Sequence, residues 1–201
     1  MLKEIRPAIV LFIALTLITG LLYPLAMTGL ANIVFPYQAR GSLIEKDGNV
    51  LGSALIGQDF SSDGFFHGRP SATLGPDLQD SNKTASTPYN AANSMGSNLG
   101  PTNKALIDRV AADTQKLKET NPLAQVPIDL VTTSGSGLDP DITPQAAYFQ
   151  VPRIAKARNM PENALNNLIA EHIESRTLSI LGEPHVNVLA LNLALNGLNT
   201  E

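Results

Sequence analysis

The sequence predicts an α+β fold, with one N-terminal transmembrane helix followed by a single mixed extracytoplasmic domain. Three observations carry this expectation. From Pro7 to Ala39 no side chain is charged, and Ala8 to Leu30 is nearly all apolar. The dipeptide Asp47-Gly48, which supplies the positive φ angles of a two-residue hairpin turn, opens the remainder. Beyond it, helical and strand-like stretches follow one another without the regular alternation of a doubly wound sheet. A chain of 201 residues has room for one membrane segment and one soluble domain of ordinary size.

At 1.5 Å per residue, roughly 20 residues cross the hydrocarbon layer, so the apolar run is long enough to span. Lys3 and Arg6 precede it, and the positive-inside rule keeps such a short basic head in the cytoplasm. Residues 1–6 are therefore read as a cytoplasmic head, 7–35 as the transmembrane helix and 40–201 as the extracytoplasmic domain of a single-pass inner-membrane protein. A cleaved signal peptide fits less well, because the run is too long and no A-x-A site closes it. Gly20 and Pro24 interrupt the span, which membrane helices tolerate when neighbours or local Ser and Thr re-satisfy the backbone. Gly20, Pro24 and Gly29 are thus candidates for contact with a partner helix.

In the soluble part, Ser42–Lys46 and Asn49–Gly57 read as a hairpin. Residues 59–100 are rich in Ser, Asn, Gly, Pro and Asp and read as a long loop, ordered where Phe60, Phe65 and Phe66 can bury. Leu106, Val110, Thr114 and Leu117 share one face of a predicted helix over 102–119. Ile128–Thr132 is a strand candidate, and Thr143-Pro144 gives an N-cap followed by proline at the first helical position of a helix that breaks or kinks at Pro152. A further helix is predicted over 161–177, its stripe made by Leu165, Leu168, Ile169, His172 and Ile173. Val186–Leu189 reads as a strand and Leu191, Ala194, Leu195 and Leu198 as a helical face, although the alternation of Leu189, Leu191, Leu193 and Leu195 fits a strand too.

Net charge is −4 and the basic residues are scattered, so the footprint needed for nucleic acid is missing. Cysteine is absent, which excludes disulfides, thiolate metal sites and a catalytic thiol. Neither a Gly-rich phosphate loop nor G-x-G-x-x-G occurs. Ser81-Asn82-Lys83-Thr84-Ala85 superficially resembles a D-K-T-G-T phosphorylation motif, but Asn stands where the acyl-phosphate needs a carboxylate. Gly96-Ser97-Asn98-Leu99-Gly100 lacks the central serine of a nucleophile elbow. Asp59, Asp63 and His67 lie four apart in a stretch without helical period and read as solvated loop residues rather than metal ligands. No catalytic, cofactor or metal-ligating residue is assigned.

Two features are candidates for partner contact. Ser134-Gly135-Ser136-Gly137 forms either a backbone nest or, the preferred reading, a tight turn. Arg69 is a lone cation near Asp59, Asp63, Asp77 and Asp80, and reads as an internal ion pair slightly ahead of a partner contact. Residues 40–201 carry 12 Lys or Arg against 17 Asp or Glu, so the field around this loop is expected to favour cations.

The segments Ser53-Ala-Leu-Ile-Gly-Gln-Asp-Phe60, Gly68-Arg-Pro-Ser-Ala72, Gly96-Ser-Asn-Leu-Gly-Pro-Thr-Asn103, Asp129-Leu-Val-Thr-Thr-Ser-Gly-Ser-Gly-Leu-Asp-Pro140 and Val186-Asn-Val-Leu-Ala-Leu-Asn-Leu-Ala-Leu195 resemble, in order and spacing, the C subunit of the bacterial potassium-transporting P-type ATPase, the Kdp complex. The likeness covers essentially the whole chain. Asp141 and His185 depart from the family's usual residues, which argues against a fixed chemical role at either. The resemblance implies a complex with a channel-like A subunit, a P-type B subunit bearing the phosphorylated aspartate, and a small F subunit. It implies a non-catalytic accessory role in assembly and potassium entry, with no cofactor on this chain while ATP and potassium are used by the complex. It also implies a role in raising the ATP affinity of B, which conflicts with a domain placed outside the cytoplasm. A membrane-anchored extracytoplasmic hydrolase is the rival reading, and a nucleotide-binding regulator the third.

Overall fold

The computed structural model describes residues 2–77, 80 and 82–197. Ser81 and Leu198, which figure in the sequence reading, lie outside them. The chain divides into two compact units, one up to Leu43 and one from Ile44 onward.

The first unit is built on a helix running over Lys3–Val34, 32 residues long and apolar enough to cross a membrane. It comprises α1 (Leu2–Leu17), a π-helical turn (Ile18–Leu22) and α2 (Tyr23–Val34), followed by the short α3 (Pro36–Ala39). The π turn has a local cause. Pro24 has no N–H to give the Gly20 carbonyl and its ring crowds that carbonyl, so the preceding turn widens and Tyr23 N–H donates five residues back, to the Ile18 carbonyl. Thr19 Oγ1 donates to the Leu15 carbonyl at 2.7 Å and Asn32 Nδ2 to the Thr28 carbonyl at 2.9 Å. Both side chains therefore bond to the helix's own backbone.

The second unit is mixed α and β. A hairpin joins β1 (Leu43–Lys46) to β2 (Asn49–Ser53), and Asp47 and Gly48 take φ of 51° and 76°, as the dipeptide predicts. Residues 59–100 are not entirely loop. An antiparallel pair, β3 (Leu74–Pro76) and β4 (Thr84–Ser86), interrupts them in the register Leu74↔Ser86, Gly75↔Ala85, Pro76↔Thr84. Its strands have only three residues each, and β3 contains Gly75 and Pro76, so they show no readable alternation.

Helix α4 (Lys104–Thr120) starts on Asn103, whose carboxamide accepts the Ala105 N–H. Leu106, Val110, Thr114 and Leu117 form its half-buried face, as expected. Ile128–Thr132 is not a strand: Ile128–Leu130 is a 3-10 turn. Adjacent Leu130 and Val131 are both buried, a pattern no half-buried strand can present, and Thr132 Oγ1 closes the turn on the Ile128 carbonyl.

After β5 (Asp141–Ile142), Thr143 caps α5 (Pro144–Phe149) by accepting the Ala146 N–H. The predicted break falls at Gln150, just before Val151-Pro152 opens α6 (Val151–Arg158). Helix α7 (Glu162–Glu171) is shorter than the predicted 161–177. It stops at His172 because Ile173–Glu174 leaves as strand β6 to pair with Val186 and His185 of β7 (His185–Asn187). Strand β7 lies between β5 and β6, antiparallel to both. Asn187 then caps α8 (Val188–Leu195), which resolves the ambiguity of the last element into a strand followed by a helix.

The core is mostly aliphatic, with Phe66 and Phe149 buried in it. Phe66, Ile154, Leu165, Ile169, Val186 and Leu191 are fully buried, and Ala146 and Ala147 let helices approach closely. Asn192, a polar residue 1% exposed, is buried as well.

Candidate functional site

Segments far apart in sequence meet on one polar platform in the second unit. Arg69 is its hub. Its Nη1 donates to Asp139 Oδ2 at 3.1 Å, and its remaining donors reach the Thr132 and Thr133 carbonyls and the Thr132 hydroxyl at 3.3–3.4 Å. The ion-pair reading of Arg69 is therefore met by Asp139 rather than by an aspartate of its own loop. The Tyr89 hydroxyl donates to the Arg69 carbonyl at 2.7 Å, and burial, helped by the negative charge of Asp139, pushes its pKa well above the ordinary tyrosine value. It stays a neutral donor.

The 134–137 segment is a tight turn whose hydroxyls accept its own amides: Gly137 N–H donates to Ser134 Oγ at 2.9 Å and Leu138 N–H to Ser136 Oγ at 3.1 Å. From outside the turn, Ser71 Oγ donates to the Gly137 carbonyl at 2.7 Å and Ser94 Oγ to the Ser136 carbonyl at 3.0 Å. Gly137 has φ of 68°, and a Cβ there would lie 2.5 Å from the Met95 carbonyl oxygen, so two separate constraints call for glycine. Gly57 plays the same part opposite Asp139. Its N–H donates to the Leu138 carbonyl at 2.8 Å, and a Cβ would meet the Asp139 carbonyl oxygen at 2.5 Å.

A second set of bonds fixes the segment leading into Arg69. Phe66 N–H donates to Asn192 Oδ1 at 2.8 Å, and Asn192 Nδ2 donates back to the Phe66 carbonyl at 2.9 Å. Gln150 repeats this on His67, accepting its N–H at 2.8 Å and donating to its carbonyl at 3.1 Å. Two carboxamides thus do for residues 66 and 67 what a neighbouring strand would do. Arg153 donates to the Asp63 and Phe65 carbonyls, and Arg158 to Gly64, with its guanidinium 4.7 Å from the Phe65 ring centroid. Burial and Arg153 together hold His67 below the ordinary histidine range.

This alters two expectations. Asp59 and Asp63 are solvated, but His67 is half-buried and bonded at backbone and ring, its Nε2 being 3.0 Å from the Ser62 carbonyl. The 59–80 loop also does not hold its negative charge with Arg69 alone: Lys83 pairs with Asp80 at 3.2 Å, and Arg153 and Arg158 press on it from α6.

Beside the platform lies an open cleft of about 730 Å³, its wall carrying Asp59, Asp63, Asp113 and Glu119 with Arg69 and Arg153. The signs are mixed, and both arginines are already bonded to main-chain oxygens. Among the described residues, no group of three or more His, Asp or Glu is arranged to hold a metal ion. At the sheet, burial raises the Asp141 pKa, although His185, 4.0 Å away, opposes this. Gly20 and Gly29 in the first unit have nothing beyond the adjacent backbone of their own helix within 4 Å of where a Cβ would stand. The arrangement as a whole is a cross-bonded polar surface.

Sequence reasoning missed Asn192, Gln150, Tyr89 and Asp139. Asn192 carried one usable signal, a single amide inside Leu-Ala-Leu-Asn-Leu-Ala-Leu.

Comparison with known proteins places these segments. A profile of the KdpC family, described as K+-transporting ATPase, c chain, matches residues 5–197. The chain is 70% identical over 196 residues to the potassium-transporting ATPase KdpC subunit of Bradyrhizobium diazoefficiens, covering 98% of each chain. The proteins of the same name from Rhodopseudomonas palustris and Methylobacterium nodulans are 69% and 66% identical, again over 98% of each chain. Segments that carried the resemblance, with Arg69, Asp139 and Asn192 among them, meet on the platform, and the match runs from the first helix to the end of α8: the chain belongs to the KdpC family.

Proposed function

We propose that this chain is a non-catalytic accessory subunit of an ATP-driven potassium uptake complex. The observation that carries the reading is the family match over residues 5–197, which takes in the membrane-spanning helix and the domain together. In this reading the helix lies in the inner membrane with Lys3 and Arg6 on the cytoplasmic side, and the domain stands outside. It packs beside a channel-like A subunit and a small F subunit, while a P-type B subunit carries the phosphorylated aspartate and binds ATP. The platform around Arg69 supports a docking role: its polar groups are bonded to one another, so it offers a rigid shape at little entropic cost. An extracytoplasmic domain acts on ATP affinity only through the membrane, by favouring one state of the B subunit. The hydrolase alternative finds no support in the family.

The test is potassium-stimulated ATPase activity of the purified complex with and without this chain. The proposal predicts loss of stimulated activity when the chain is missing and no hydrolysis by the chain alone. Undiminished activity of the complex lacking it, or ATP hydrolysis by the isolated chain, would overturn the reading.

A further inference from the structure

The loop between β6 and β7 has no evident part in the platform. Within it, Leu178, Ile180 and Leu181 are 80%, 74% and 59% exposed. Single exposed apolar residues need no explanation, but three within four positions on one projecting turn do. The turn is also stiffened. Thr177 and Leu181 exchange both backbone hydrogen bonds, at 2.9 and 3.0 Å, Ser179 N–H donates to the Arg176 carbonyl at 3.0 Å, and an Arg176–Glu183 ion pair ties the two sides together. Leu178 and Ser179 take φ of 52° and 63°, a left-handed conformation in which leucine is strained and for which asparagine or glycine would be the easier choice. An apolar side chain is thus kept at the tip where local backbone preference argues for a polar one.

We propose that residues 177–181 form a docking knob that seats in an apolar pocket with a cationic rim on another subunit of the transport complex. This rests on the reading of the chain as a subunit. Charge selects the occupant. From 171 to 185 the chain carries Glu171, Glu174 and Glu183 against the single Arg176, and Asp141 lies within 4.0 Å of His185 at the base of the loop. This net negative charge, an acidic collar flanking the apolar tip in sequence, is repelled by anionic lipid, whose binding elements carry Lys and Arg. A second copy of the same collar is repelled equally across a two-fold contact. A pocket with basic residues at its edge matches both the tip and the collar.

The test uses the whole complex, recovered in mild detergent through a tag on a different subunit. In the double variant Leu178→Asn, Ile180→Ser, asparagine retains the left-handed turn while both apolar anchors go. Truncating two anchors predicts recovery of this chain reduced by about tenfold or more. Wild-type chain recovered and variant chain recovered equally would overturn the docking knob while leaving the subunit reading intact; wild-type chain absent from the tagged complex would overturn both. To separate docking from misfolding, benzoylphenylalanine in place of Ile180 is photolysed in native membranes. An adduct with another subunit of the complex supports the proposal. An adduct only with lipid, only with a second copy of this chain, or none at all overturns it.

Discussion

Replacing Asn192 by leucine tests whether carboxamide clamps hold the platform. Asn192 is 1% exposed, and its two bonds satisfy the N–H and carbonyl of Phe66, a residue with no exposed surface. Leucine keeps the branched shape and heavy-atom count of asparagine and fits an aliphatic helix, so no cavity opens, and crowding by its bulkier methyl groups adds to the loss rather than reducing it. What remains is an orphaned donor and an orphaned acceptor, each costing about 1–3 kcal/mol when buried, for a total of about 2–6 kcal/mol. Added apolar burial offsets about 1–2 kcal/mol of this, leaving a net loss near 3 kcal/mol. For a chain of this size about 2–4 °C accompanies each kcal/mol, so the midpoint should fall by about 6–12 °C. The assay is thermal unfolding of the detergent-solubilised full chain followed by circular dichroism, with exposed Asn167→Leu on α7 as a control expected to stay within about 0.5 kcal/mol. A shift below about 2 °C for Asn192→Leu would refute the clamp and leave residue 66 held by apolar packing alone.

Further outcomes follow from the same geometry. Gly137→Ala should destabilise the chain by about 2 kcal/mol or more, because the new Cβ meets both a backbone oxygen and a positive φ, whereas Gly135→Ala, with nothing within 4 Å, should stay within about 0.5 kcal/mol; urea unfolding of the pair decides this. Burial keeps His67 neutral, so the unfolded chain binds its proton more readily than the folded one, and the stability present above pH 6.5 is lost as pH falls below it. His67→Asn should flatten that part of the profile, measured as the urea midpoint at a series of pH values, and an unchanged slope would remove the histidine from it. Gly20→Leu should weaken recovery of the chain with its partners in detergent, because it fills a face open for close helix approach, and unchanged recovery counts against that face. Changing Asp59, Asp63, Asp77 and Asp80 to Asn should raise the apparent KM for potassium of the whole complex at low ionic strength, with the difference shrinking as inert salt is added; an unchanged KM at both strengths removes any steering role.

Elements were legible in the sequence where a local rule decides the conformation. Asp47-Gly48 sets its hairpin, Asn103 and Thr143 cap their helices, and Pro152 ends α5 without help from distant residues. Helix α8 was ambiguous because it is buried nearly all round, with Leu189, Leu191, Leu193 and Leu195 all inside, so neither a period of two nor of 3.6 distinguishes its faces. The chain over 128–132 misled for a related reason, since an apolar run of that length reads the same as strand or tight turn. The platform was the least visible part. Arg69 and Asp139 are 70 residues apart, and Phe66 and Asn192 are 126 apart. Such pairs leave no periodic trace, and the family segments marked their positions without showing that they meet.

Potassium uptake by the complex is expected to depend on this chain although the chain does no chemistry of its own. The direct measurement is potassium uptake in cells stripped of other uptake systems and supplied with the remaining subunits of the complex, with or without this chain. Uptake at limiting potassium should be lost without the chain and restored when the wild-type chain is supplied from a second copy of its gene. Uptake that continues at the same rate in its absence would contradict it.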